Sequence, residues 1–221
     1  MKREIIETKD GLKTINFPEI NESYHSTNGA LQEALHVFIK NGWEKLNSTS
    51  YKVLEIGFGT GLNAILTLIK SLEEKKTVKY TGLEAFPISQ EEVTALKYYE
   101  NDFIKSHKDE YFKLHEAEWG KTVSITPLFT LHKLHEKLEE FQPQKSSFNL
   151  IYFDAFGFRV QPEMWSKQVF QKMYDCLEDG GLLTTYSSKG EVRRTLIELG
   201  FEVKKVPGPA GKREMLVARK T

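Results

Sequence analysis

Asp154 closes the apolar run Leu150-Ile151-Tyr152-Phe153. A carboxylate at the end of a buried strand is costly to desolvate. In open α/β sheets ligands bind beyond the carboxyl ends of the strands. Asp154 is therefore the candidate catalytic residue, able to accept a hydrogen bond or proton from an incoming nucleophile. Two further acids belong to strand-like runs, Glu55 in Val53-Leu54-Glu55-Ile56 and Glu84 at the end of Tyr80-Thr81-Gly82-Leu83-Glu84. Between them, Gly57-Phe58-Gly59-Thr60-Gly61-Leu62-Asn63 sets three glycines at alternate positions where strand gives way to helix. Glycine lets the backbone turn tightly and a ligand approach closely, and a helix start offers free N–H groups.

A dinucleotide site wants G-x-G-x-x-G, which would need its third glycine at Leu62. The G-x-G-x-G spacing after an acidic strand fits S-adenosylmethionine better, because its methionine half is a zwitterion without phosphate. On this reading Gly57, Gly59, Gly61 and Asn63 form the cofactor turn and Glu55 accepts the ammonium, directly or through water. Glu84, some twenty residues on, accepts the ribose hydroxyls. Glu118 and Trp119 are candidates for the adenine, since an acid or aromatic often follows the third strand there. The competing reading is a tight strand-to-helix turn without a ligand.

These residues need a scaffold. From residue 51 strands and helices alternate: strands over 51–56, 78–83, 123–130, 148–153 and 182–186, helices over 62–72, 89–99, 131–141, 162–177 and 189–199. Alternation implies parallel pairing with right-handed crossovers. Strands over 201–206 and 214–219, joined by Pro207-Gly208-Pro209-Ala210-Gly211, must pair antiparallel. The expectation is a Rossmann-like α/β fold with a mostly parallel, seven-stranded sheet ending in an antiparallel hairpin. Ahead of it, over 1–46, lie a hairpin about Lys9-Asp10-Gly11 and an amphipathic helix over 30–40; the methyltransferase-like domain spans 47–221.

The 221 residues carry 31 Lys plus Arg against 31 Asp plus Glu, which excludes a generally basic nucleic-acid binder. The bases are uneven, however. Between Lys189 and Thr221 nine Lys and Arg face four Glu, a local excess that can meet phosphates. The start lacks a signal-peptide core, and no apolar run approaches membrane length. The single cysteine, Cys176, reads as a buried hydrophobe. A cytoplasmic protein without membrane contact is expected.

Four blocks in order give a resemblance. They are Tyr24-His25-Ser26, the glycine block, Asp154-Ala155-Phe156 leading to Pro162-Glu163-Met164-Trp165, and Gly211-Lys212-Arg213-Glu214-Met215-Leu216. Together they resemble the methyltransferase domain of the tRNA 5-methylaminomethyl-2-thiouridine biosynthesis bifunctional proteins (MnmC). The resemblance implies N-methylation of 5-aminomethyl-2-thiouridine at the tRNA wobble position, with S-adenosyl-L-methionine as donor and neither FAD nor metal. It implies tRNA as partner, Asp154 as the catalytic acceptor and Tyr24, His25 and Phe156 as walls about the uracil ring, with Lys212 and Arg213 near the substrate. Phe158-Arg159 departs from the proline-containing run usual in the family. A chain ending at Thr221 leaves no room for the oxidase domain of bifunctional members, so a separate enzyme is expected to make the aminomethyl precursor. Three other readings stay open: an aminopropyltransferase, a methyltransferase of small-molecule amines and a non-catalytic SAM- or RNA-binding module. Against the first, Ala155-Phe156-Gly157-Phe158 offers no further acid beside Asp154.

Overall fold

The Asp-Gly turn forms where expected, with Gly11 at φ +80°. It joins β1 (Glu4–Glu7) to antiparallel β2 (Lys13–Phe17), and a two-residue β3 (Glu22–Ser23) completes a small sheet in the order β1-β2-β3. α1 (Ala30–Ala34) runs straight into a π-helical turn over Leu35–Lys40. The computed structural model describes residues 2–221.

The main body alternates as the apolar pattern requires. β4 (Ser50–Ile56), α2 (Leu62–Glu74), β5 (Thr77–Glu84) and α3 (Gln90–Leu96) follow one another, then α4 (Lys108–Glu116), β6 (Thr122–Thr126) and β7 (Phe129–His135). β8 (Phe148–Phe153), α5 (Lys167–Cys176), β9 (Leu177–Thr185) and α6 (Gly190–Glu198) come next, and the hairpin of β10 (Phe201–Pro207) and β11 (Glu214–Lys220) closes the chain. The sheet order is β10-β11-β9-β8-β4-β5-β7-β6. β9, β8, β4, β5 and β7 pair in parallel, and the C-terminal hairpin pairs antiparallel.

The α/β class and the terminal hairpin match the expectation, but the sheet has eight strands rather than seven. The strand expected over 123–130 is a hairpin, β6 against β7, and the helix expected over 131–141 does not form. Leu131, Leu134 and Leu138 have helical spacing, yet residues 129–135 alternate in burial and pair along β5. Sheet pairing overrides a local helical stripe. The helix expected over 162–177 is a single 3-10 turn, Pro162–Trp165, before α5, whose first turn Ser166 caps, its Oγ accepting the Val169 N–H.

Side chains alternate across the sheet. Leu150 and Tyr152 pack on one side with α2, α4 and the N-terminal segment, while Ile151 and Phe153 pack on the other with α5 and α6. Leu12, Ile15 and Phe17 of the small sheet share the first of these cores. The chain leaves β4 toward β5 and β7 on one flank and β8 toward β9 on the other. The carboxyl ends of β4 and β8 thus form the topological switch point, where crevices open.

Candidate functional site

Two strand ends build this crevice. The Asp154 N–H donates to the Ile56 carbonyl at 3.0 Å, which fixes the Asp154 loop against the glycine turn. Gly57, Gly59 and Gly61 have φ of +87°, +50° and +72°. A Cβ at these positions would lie 2.7 Å from the Asp154 carbonyl oxygen, 2.8 Å from the Tyr24 ring and 2.9 Å from His115 Nε2 respectively. The glycines are therefore demanded by left-handed backbone and by protein packed against it, a stricter reason than the ligand approach expected of them.

Beyond the turn lies a cavity of about 820 Å³. Of the residues singled out in the sequence, Tyr24, His25, Gly57, Gly59, Asn63, Glu84, Asp154, Phe156 and Lys212 line it. Asp154 is half-buried there. Burial, reinforced by the negative charge of Glu33, pushes its carboxyl up to about 7. Asn63 Nδ2 donates to Asp154 Oδ2 at 2.9 Å and to Glu55 Oε1 at 2.9 Å. Glu55 lies behind the wall, 1% exposed, with Tyr80 donating its hydroxyl to the other oxygen at 2.8 Å. Its place is a buried support for Asn63, and burial holds its carboxyl well above the usual range. At the end of β5, Glu84 accepts the Gly59 N–H at 2.8 Å and the Phe86 N–H at 2.9 Å; each oxygen keeps a free lone pair.

The N-terminal segment roofs the crevice. Phe17, Tyr24 and Phe156 form a triangle of rings with centroids 5.3–5.6 Å apart. His25 shares one hydrogen bond with Thr14 through Nδ1 (3.0 Å) and a longer one with Thr60 of the glycine turn through Nε2 (3.4 Å). Burial pushes His25 down to about 4, so it is neutral at pH 7 and links small sheet to glycine turn. From the opposite side Arg159 donates to the Ile20 and Asn21 carbonyls at 2.8 and 2.9 Å. The segment that departs from the familiar pattern is thus a clasp between roof and wall.

Several expected residues lie elsewhere. Gly61 belongs to the turn but faces away from the cavity. Glu118 is exposed and paired with Lys121, and Trp119 packs against Phe58 and His135 beneath Lys133. Both precede β6, as they precede the strand expected over 123–130, so neither follows the third strand. The residues beyond the third parallel strand are Glu136, Lys137 and Leu138, and these do line the cavity. Arg213 is exposed and outside it. Glu22, Glu33 and Tyr186 are cavity residues that sequence reading missed. Glu33 lies in a helix read only for its apolar stripe, and Tyr186 ends a strand read only as core.

Among the described residues no three His, Cys, Asp or Glu side chains gather as metal ligands, and no helix is long and apolar enough to cross a membrane. Residues 98–221 match the family described as S-adenosyl-L-methionine-dependent methyltransferase. The tRNA 5-methylaminomethyl-2-thiouridine biosynthesis bifunctional protein MnmC of Campylobacter fetus subsp. fetus is 30% identical over 214 residues, covering 95% of this chain and 34% of that protein. Its namesake in Leptospira interrogans is 30% identical over 224 residues, covering 90% and 32%. The chain spans about a third of the length of these curated relatives. Among solved structures, MNMC2 from Aquifex aeolicus superposes with a TM-score of 0.81 at 24% identity, covering 99% of this chain and 70% of that one.

Proposed function

Since the chain belongs to the S-adenosyl-L-methionine-dependent methyltransferases, the family matched over residues 98–221, we propose that it methylates the aminomethyl nitrogen of 5-aminomethyl-2-thiouridine at the tRNA wobble position. The product is 5-methylaminomethyl-2-thiouridine. One observation carries this reading: a single cavity joins the glycine turn and Glu84 to a half walled by Tyr24 and Phe156 and lined by Asp154 and Glu33. The first half suits the cofactor, the second a flat ring bearing an ammonium. The cavity's volume is within the usual range of about 300–1,000 Å³ for small-molecule sites.

Gly57, Gly59 and Glu84 would hold the cofactor, with the Glu84 carboxylate for the ribose hydroxyls and residues 136–138 near the adenine. When bound, S-adenosyl-L-methionine supplies a methyl carbon made electrophilic by its sulfonium. The chain's own task is the amine. An alkyl ammonium titrates near about 10.4 in water and must lose its proton before it can react. Asp154 accepts that proton and aims the nitrogen lone pair. Asn63 holds Asp154 in place, the aromatic triangle seats the ring, and the Arg159 clasp keeps water out. Positioning and proton transfer supply the rate.

On this reading an earlier enzyme unmasks the aminomethyl group, and the protein would work in the cytoplasm. A second reading, methylation of a small polycationic amine, is favoured by Glu22 and Glu33, acids brought to the cavity by the N-terminal segment. One experiment separates the two. The protein is incubated with methyl-labelled S-adenosyl-L-methionine and bulk tRNA from a strain lacking the modification, and the tRNA is digested to nucleosides. Label is expected on the wobble uridine. Label found only on added polyamines would overturn the tRNA reading.

A further inference from the structure

Two elements from opposite ends of the chain meet in the cavity wall. Glu33 belongs to α1, and Lys212 to the turn of residues 208–213 between β10 and β11. Lys212 Nζ lies 2.9 Å from Glu33 Oε1 and 3.9 Å from the centre of the Tyr186 ring. The other Glu33 oxygen accepts the Ser26 N–H at 2.9 Å. Lys212 is thus a cation fixed on the cavity wall by an acid and an aromatic face, and is already engaged where a phosphate contact would need it free. Tyr186 donates its hydroxyl to the carbonyl of Ala155, the neighbour of Asp154, at 2.8 Å.

The two charges act on Asp154 in opposite senses. Glu33 favours its protonated form and Lys212 its ionised form. The other groups that face it are Asn63, which donates to it, and the charge of Glu55 with Tyr80 behind that amide. Tyr186 lies on the remaining side.

We infer that the Glu33–Lys212 pair is a positioning device that sets the proton balance between Asp154 and the amine to be methylated. A cation beside an ammonium disfavours the ammonium's charge. Lys212 therefore lowers the proton affinity of both partners: it keeps Asp154 ionised and ready to accept, and it eases loss of the one proton that passes from the ammonium nitrogen to the Asp154 carboxylate, leaving a neutral amine and a neutral carboxylic acid. Glu33 fixes Lys212 and moderates its charge. The substrate half of this inference rests on the amine-methylation reading; the effect on Asp154 does not.

The test uses the full chain labelled with ¹³C at aspartate carboxyls, with the Asp154 signal assigned by its loss in Asp154→Asn. Lys212→Met is expected to raise the Asp154 midpoint by about one pH unit and Glu33→Gln to lower it by about one. Lys212→Arg, which keeps the charge, is expected to restore the midpoint. The acid limb of kcat/KM for methyl transfer should move in the same two directions. Shifts of the same sign in both variants, or none, would overturn the inference. So would Lys212→Met keeping its midpoint while KM for tRNA alone rises with salt, since that marks a phosphate contact. Should the wild-type chain label no tRNA, the amine reading falls, while the titration still decides the role of the pair.

Discussion

At the scale of single residues Asp154 is the one proposed to carry the chemistry, and its environment makes two predictions. Replacing it by Asn keeps an acceptor for Asn63 but removes the base. Turnover is expected to fall by about 10²–10⁴-fold, the usual worth of a positioned base. Calorimetry should find S-adenosyl-L-methionine affinity within a few-fold of wild type, and near-wild-type turnover would remove Asp154 from the mechanism. The second prediction is a gain in stability. The folded carboxyl is raised, chiefly by burial, to about 7 from an ordinary 3.8. An acid raised on folding contributes stability that is fully present below its unfolded value and is lost as pH rises through the folded one. Asp154→Asn should therefore melt higher than wild type at pH 8, with the advantage vanishing toward pH 4. The expected gain is on the order of 2–4 °C, the shift that about 1 kcal/mol produces in a chain of this size. Equal melting at pH 8 would show that the cavity solvates the charge fully.

Elements decide where such residues can stand, and the glycine turn gives the sharpest case. A Cβ at Gly57 would sit 2.7 Å from the Asp154 carbonyl, while one at Gly120 (φ +78°) would meet nothing within 4 Å. Both substitutions by Ala bear the left-handed backbone penalty, about 1–2 kcal/mol. Only Gly57→Ala should also push the ends of β4 and β8 apart and abolish cofactor binding, as titration calorimetry on the two variants would reveal. The turn and Asp154 were legible in the sequence because each is written locally, as apolar strand, breaker and acid in a single run. The hairpin of β6 and β7 was not. Its leucines at 131, 134 and 138 are spaced for a helix, and only pairing along β5 makes residues 129–135 a strand. Glu118 and Trp119 precede β6, whereas the residues that follow the third parallel strand and line the cavity are Glu136 to Leu138. Lys212 stood among the residues expected near the substrate, but its pairing with Glu33 was hidden for another reason. The two are 179 residues apart, and only the meeting of N-terminal segment with C-terminal hairpin brings them to one wall.

Across the whole molecule the question is charge, for a chain of net zero that is proposed to hold a polyanion. Nine Lys and Arg follow residue 188, yet five of them are engaged within the protein. Lys204, Lys205 and Lys212 pair with Glu202, Glu214 and Glu33. Arg219 donates to the Gly180 carbonyl and Lys220 to that of Leu177. Lys189, Arg193, Arg194 and Arg213 have no carboxylate or carbonyl side-chain partner among the described residues, and Lys189 lies over Phe158 on the loop that carries the Arg159 clasp. Each phosphate neutralised on a single strand contributes about −0.7 to the slope of log affinity against log salt. Four free cations then predict a slope near −3, a loss of roughly 50-fold between 50 and 200 mM salt. All nine would give a slope near −6 and a loss of several thousand-fold. Fluorescence titration of labelled tRNA across that range distinguishes the two. The shallow slope is expected, together with a further flattening by about 1.4 in a Lys189→Ala/Arg194→Ala variant. A slope of −6 in the wild type would mean that the paired lysines leave their glutamates when tRNA arrives, and with Lys212 among them the cavity wall itself would rearrange on binding.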